Sequence, residues 1–194
     1  MRGSMSILQH AIHAAVGTIQ SLESMQEPLN LAAQTVEKCL LGGHKLLVCG
    51  NGGSAADGSD FSTEFACRFV GDRRPYPAIN LASSESLITA IGNDYSYDEI
   101  YARQVRGFAN AGDVLVAIST SGNSKNILRA LEEARRMDVK SIALLGRDGG
   151  AARGLASVEL IVPQHTTARI QEAHKFLLHV LCEMIEGNLA RDGK

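Results

Sequence analysis

From Lys45 onward five short apolar runs, "KLLVCG", "PAINLA", "DVLVAIS", "SIALLG" and "VELIVP", alternate with stretches of helical periodicity. Runs this uniformly apolar are buried on both faces, and a helix between successive strands carries the chain back to the same end of the sheet. The pattern specifies five strands of a parallel α/β sheet, expected as a three-layer αβα sandwich of flavodoxin-like order. Intervening helices are expected near 53–70, 84–109 with a break at "GND", and 124–137, with a short one near 149–155 and a terminal one from about 167 to 190. Ahead of the first strand, Leu8, Ile12, Val16 and Ile19, then Leu29, Ala32, Val36 and Leu40, recur at helical spacing on either side of "QEPLN" and predict two leading helices. The long last helix, "EAHKFLLHVLCEMIEGNLA", is apolar around most of its circumference, which demands burial on several sides, a demand that another subunit would satisfy.

The chain has 194 residues, 45% of them hydrophobic, and a formal net charge of −2, which fits one domain with its own core. "MRGS" at 1–4 reads as an expression leader, and 5–194 as a single domain with an N-terminal helical extension. Basic residues are scattered, with "GDRRP" the densest group, so neither nucleic acid nor a membrane surface is expected as partner. No apolar run approaches the ~18 residues of a membrane span. Cys39, Cys49, Cys67 and Cys182 form no CxxC pair and read as core residues of a cytoplasmic protein.

Two strand-to-helix loops carry the chemistry. "GNGGS" (Gly50 to Ser54) follows the first strand and "STSGNS" (Ser119 to Ser124) the third. Small residues let backbone amides approach an anion, helix starts point free N–H groups outward, and hydroxyls add donors without bulk. Each loop taken alone could be only a turn, with Ser124 a simple N-cap. In flavodoxin-like order, however, the first and third strands are neighbours, and both loops flank the point where open sheets bind ligands. Together they predict a phosphate site. Neither is a dinucleotide fingerprint or a Walker loop.

Asp57, Asp60, Glu64 and Arg68 recur on one stripe of the helix leaving the first loop. They read either as a solvated salt-bridge ladder, strongest for Asp57, or as carboxylates beside a sugar phosphate, one of them a general base. On the last helix, Gln171, His174 and His179 are candidates, and helical phase does not choose between the two histidines.

With "GNGGSAAD", "LITAIGNDY", "ISTSGNS", "GDVL", "GRDGG" and "RIQEAH", the chain from Met5 onward resembles the phosphoheptose isomerases of the SIS (sugar isomerase) fold. That resemblance implies conversion of sedoheptulose 7-phosphate to a heptose 7-phosphate through an enediol. It implies Asn51, Gly52, Gly53 and Ser54 near the sugar, Ser119, Thr120, Ser121 and Ser124 around the phosphate, and Arg68, Asn93, Asp94 and Gln171 lining the pocket. Glu64 matches the catalytic base and His179 the catalytic acid. Homotetramers with active sites shared between subunits are implied, as is one divalent metal per subunit, zinc in some members, held by residues matching Asp60, Glu64, Gln171 and His179. Asp60 stands where metal-binding members have histidine, which weakens or alters zinc binding, and Ala168 stands where some members have aspartate. Protein-binding relatives that engage the replication initiator, and sugar-phosphate-sensing domains, share the fold; the presence of both Glu64 and His179 favours the enzyme.

Overall fold

The computed structural model describes residues 6–192; the expected leader at 1–4 lies outside them. A capping box between Ser6 and Gln9 starts α1 (Ile7–Ser21), and a 3₁₀ turn (Leu22–Met25) bends the chain into α2 (Gln26–Leu41). There follow β1 (Leu46–Gly50), α3 (Gly53–Ala66), β2 (Ala78–Asn80), α4 (Glu85–Asp94), α5 (Ala102–Phe108) and β3 (Val114–Ser119). The chain continues through α6 (Lys125–Arg136), β4 (Lys140–Gly146), β5 (Val158–Val162) and α7 (Thr167–Asp192). The five strands are parallel in the order β2-β1-β3-β4-β5, with Leu46 beside Val114 and Gly50 beside Ile118.

Strand residues alternate between two cores. Leu46, Val48, Val116, Ile142 and Leu160 face α2, α3 and α7, whereas Leu47, Leu115, Ala117, Ala143 and Leu145 face α4, α5 and α6. Both faces of the central strands are thus dry, as the uniformly apolar runs require. Among the described residues no helix is long and apolar enough to cross a membrane.

Four expectations are corrected. The helix from Gly53 stops at Ala66 rather than near residue 70, because the segment after it folds back: Arg73 donates to the Glu64 and Phe65 carbonyls and the Tyr76 N–H to that of Phe65. Those carbonyls would otherwise lack a partner at the helix end. The short helix near 149–155 is a single 3₁₀ turn, Gly150–Ala152. Cys67 is exposed, unlike the buried Cys39, Cys49 and Cys182. Asp57, read most readily as solvated, is buried.

Candidate active site

Because β1 and β3 pair directly, their loops emerge side by side at the C-terminal edge of the sheet. A reciprocal pair of hydrogen bonds between the Asn51 and Asn126 amides, 2.9 and 2.8 Å, ties the first loop to the start of α6, and the Tyr97 hydroxyl donates to Asn51 Oδ1 at 3.1 Å. Gly52 takes φ +55°, a conformation that favours glycine and lets the chain turn directly into α3.

The second loop is shaped from behind by the "GRDGG" turn. A side chain at Gly122, φ +63°, would run into the Gly149 carbonyl, so the two turns nest backbone to backbone. Ala152 N–H donates to Gly122 O at 2.9 Å, and Ala151 N–H to Asn123 Oδ1 at 2.9 Å. Ser119 Oγ accepts from Gly122 N–H at 3.1 Å and Ser121 Oγ from Asn123 N–H at 3.1 Å. Ser124 precedes α6 but makes no side-chain cap; its hydroxyl lies 3.4 Å from that of Ser119. Ser121, Thr120 and Ser124 remain half-buried at the loop surface.

Against α3 lies α7, running the same way in a definite register. A side chain on Gly53 would overlap the Gln171 amide. One turn further, Lys175 Nζ is 3.5 Å from Asp57 Oδ1 and forms an ion pair with Asp60. Beyond that, His179 lies beside Phe69, with ring centroids 6.2 Å apart, and the Glu64 carboxylate is close enough to Cys182 to act on its thiol. That thiol is pushed up to about 12, first by burial and then by Glu64. The stripe Gly53, Asp57, Asp60, Glu64 therefore faces the stripe Gln171, Lys175, His179, Cys182. Glu64 and His179 are both half-buried.

The electrostatics between the helices are uneven. Burial pushes the Asp57 carboxyl up, opposed by the Lys175 ammonium and the Gln171 amide, and Asp57 Oδ2 is buried without a hydrogen-bond partner. Burial alone would lower the Lys175 ammonium, but Asp60 and Asp57 hold it above its ordinary value. An open cleft of about 460 Å³ is lined by Asp57, Ala168, Gln171, Glu172 and Lys175. Among the described residues no three His, Cys, Asp or Glu side chains gather closely enough to hold a metal ion. The set Asp60, Glu64, Gln171 and His179 does not fit one, since the Asp60 carboxylate is already paired with an ammonium.

The two histidines part company. His174 is fully buried, its Nε2–H donating to Leu145 O at 3.0 Å, and burial holds it down to about 4, a neutral core residue. His179 shares the Gln171–Lys175 face. Arg68 does not continue the carboxylate stripe: it lies past the end of α3, is exposed, and donates to the Val70 carbonyl at 2.9 Å. Asn93 and Asp94 are also outside the cluster. They bond each other at 2.9 Å at the end of α4, and Asp94 lines a different groove with Leu87, Tyr95 and Arg103. Sequence reading missed Lys175, Asn126 and Tyr97. Lys175 had a signal, standing four residues from both Gln171 and His179 and so on their face.

The five-stranded parallel sheet, with its two small-residue loops side by side, is that of a SIS domain: the SIS domain family matches residues 11–146. The phosphoheptose isomerase of Shewanella loihica is 48% identical over 180 residues, covering 91% of each chain. The solved phosphoheptose isomerase of Neisseria gonorrhoeae is 41% identical with a TM-score of 0.84, covering 93% of this chain and 99% of that one. That of Francisella tularensis is 38% identical with a TM-score of 0.85, covering 94% and 100%. The chain belongs to the phosphoheptose isomerase family of SIS domain proteins and is an isomerase.

Proposed function

We propose that this isomerase converts sedoheptulose 7-phosphate to D-glycero-D-manno-heptose 7-phosphate, supplying ADP- or GDP-heptose for lipopolysaccharide or another surface glycan. The observation that carries the reading is the pair of small-residue loops side by side at one sheet edge, with the α3–α7 seam that bears Glu64 and His179 leading away from the first of them. Ser119, Thr120, Ser121 and Ser124 would grip the phosphate, with Asn51, Gly52, Gly53, Ser54 and Gln171 along the sugar. Arg68, Asn93 and Asp94 would join only when neighbouring subunits complete the pocket, in a cytoplasmic homotetramer.

In the reaction, Glu64 takes the proton from the carbon next to the ketose carbonyl, and the carbonyl oxygen gains a proton through His179. The resulting cis-enediol is reprotonated at the former carbonyl carbon while the neighbouring hydroxyl gives up its proton to become the aldehyde. Two hydrogens change place, with no net oxidation. General acid and base groups each contribute typically ~10² to 10⁴-fold, and the phosphate grip at the far end holds the reacting carbons near Glu64. No step passes through a metal.

Incubation with sedoheptulose 7-phosphate followed by NMR should show the aldose appear. Glu64→Gln keeps the shape but cannot accept the proton, so it should abolish turnover while calorimetry still registers substrate binding. Turnover near the parent rate in that variant would remove Glu64 from the base role.

A further inference from the structure

The seam between α3 and α7 contains a cation of the chain's own. Of the four residues expected to hold a metal, Gln171 and His179 stand two helical turns apart on α7, about 12 Å, with Lys175 midway between them. That lysine is one turn from each, ion-paired to Asp60, and 3.5 Å from the buried Asp57. Its side chain is 30% exposed, reaching the seam from the edge of the open cleft. Among the described residues Asp57 has no other cation within ion-pair reach, and one of its oxygens is buried unpartnered.

We infer that Lys175 is the resident cation of this site: its ammonium joins Asp57 and Asp60 across the α3–α7 seam and takes up the Asp60 carboxylate that a divalent ion would need, and the chain works without that ion. The inference rests on the isomerase reading for the meaning of the site, but its consequence is read in metal binding. An incoming ion must expel an ammonium from two carboxylates and then sit beside it, so like-charge repulsion opposes occupancy. Lys175 is a positioning residue here: it sets the spacing of the helices that carry Glu64 and His179 and leaves no full donor set for a metal.

The test is calorimetric titration of Zn²⁺ and of Mn²⁺ into the chelator-stripped protein and into Lys175→Met, Lys175→Arg and Asp60→Asn/Lys175→Met. The parent and Lys175→Arg should take up no stoichiometric ion. Lys175→Met should gain at least roughly tenfold in affinity, a range usual for residues around a metal site, and the double variant should lose the gain, which identifies Asp60 as a ligand. Lys175→Gln, closer in length and polarity, is titrated beside Lys175→Met and carries the test if the methionine variant unfolds. One tightly held ion per parent chain overturns the proposal, and so does a folded neutral variant that binds no better than the parent. A parent that isomerises sedoheptulose 7-phosphate yet holds zinc overturns only the role of Lys175; a stripped parent that is inactive and gains activity with added metal overturns that role as well, whereas one inactive with and without metal overturns only the isomerase reading.

Discussion

His174 and His179 stand five residues apart on one helix and meet opposite surroundings. His174 is enclosed among apolar side chains with its ring nitrogen on Leu145 O, and its folded value near 4 lies well below the ordinary 6.5. The unfolded chain therefore binds more protons between those values, so stability is present above about pH 6.5 and is lost as pH falls toward 4, by roughly 3 kcal/mol. Denaturant titrations across this window should show that slope in the parent and a flatter one in His174→Gln, whatever the absolute cost of the substitution. His179→Gln should instead depress kcat strongly. A reversed pattern would exchange the two assignments. Sequence could not separate these histidines, since both lie within a quarter turn of Gln171; what separates them is β4, whose carbonyl meets only one of them. The same limit applies to Asp57, whose periodicity was plain but whose burial depends on a helix more than a hundred residues away.

The unit that matters at the next scale is the pair α3 and α7. Their register is fixed at one end by Gly53, whose missing side chain admits the Gln171 amide. At the other end Arg73 is held by Glu186 at 3.0 Å, and the Tyr76 hydroxyl donates to Leu189 O at 2.8 Å. Gly53→Ala should push Gln171 out of the seam and weaken sugar-phosphate binding about tenfold, near 1.4 kcal/mol, while circular dichroism remains that of a folded protein. Unchanged affinity by calorimetry would show that the glycine serves only the helix start. Both helices were legible, α7 from its apolar circumference and α3 from its place between two strand runs. The end of α3 was not, because the donors that close it come from Arg73 and Tyr76 across an irregular segment, and nothing within residues 53–70 announces them. Arg68 was misplaced on the stripe for that reason.

At the scale of the whole molecule, five parallel strands followed from apolar runs broken by helical ones, whereas their order, β2-β1-β3-β4-β5, is the flavodoxin-like one expected but not fixed by those runs. The assembly was less legible, since an apolar helix face does not say which partner covers it. On α1, Leu8, Ile12 and Val16 are exposed, Leu8 to 68%, and Leu31 on α2 and Phe176 on α7 are exposed too. An apolar stripe of this extent calls for another subunit. Light scattering should give a tetramer mass for the parent, and Ile12→Asp with Val16→Asp should lower it; a monomer in the parent at working concentration would refute the assembly. The position of α7 also has a consequence for synthesis. A ribosome delivers the whole sheet, with Val116, Ile142 and Leu160 on one face and Phe61 and Phe65 of α3 in the same core, before it delivers the helix whose Ile170, Leu177, Leu181 and Ile185 complete that core. Until then the nascent chain carries an open apolar surface and a half-built seam, so a stall before Thr167 yields a sticky, inert fragment for chaperones to hold. Release of α7 closes the core and brings Lys175 and His179 against α3 in the same event.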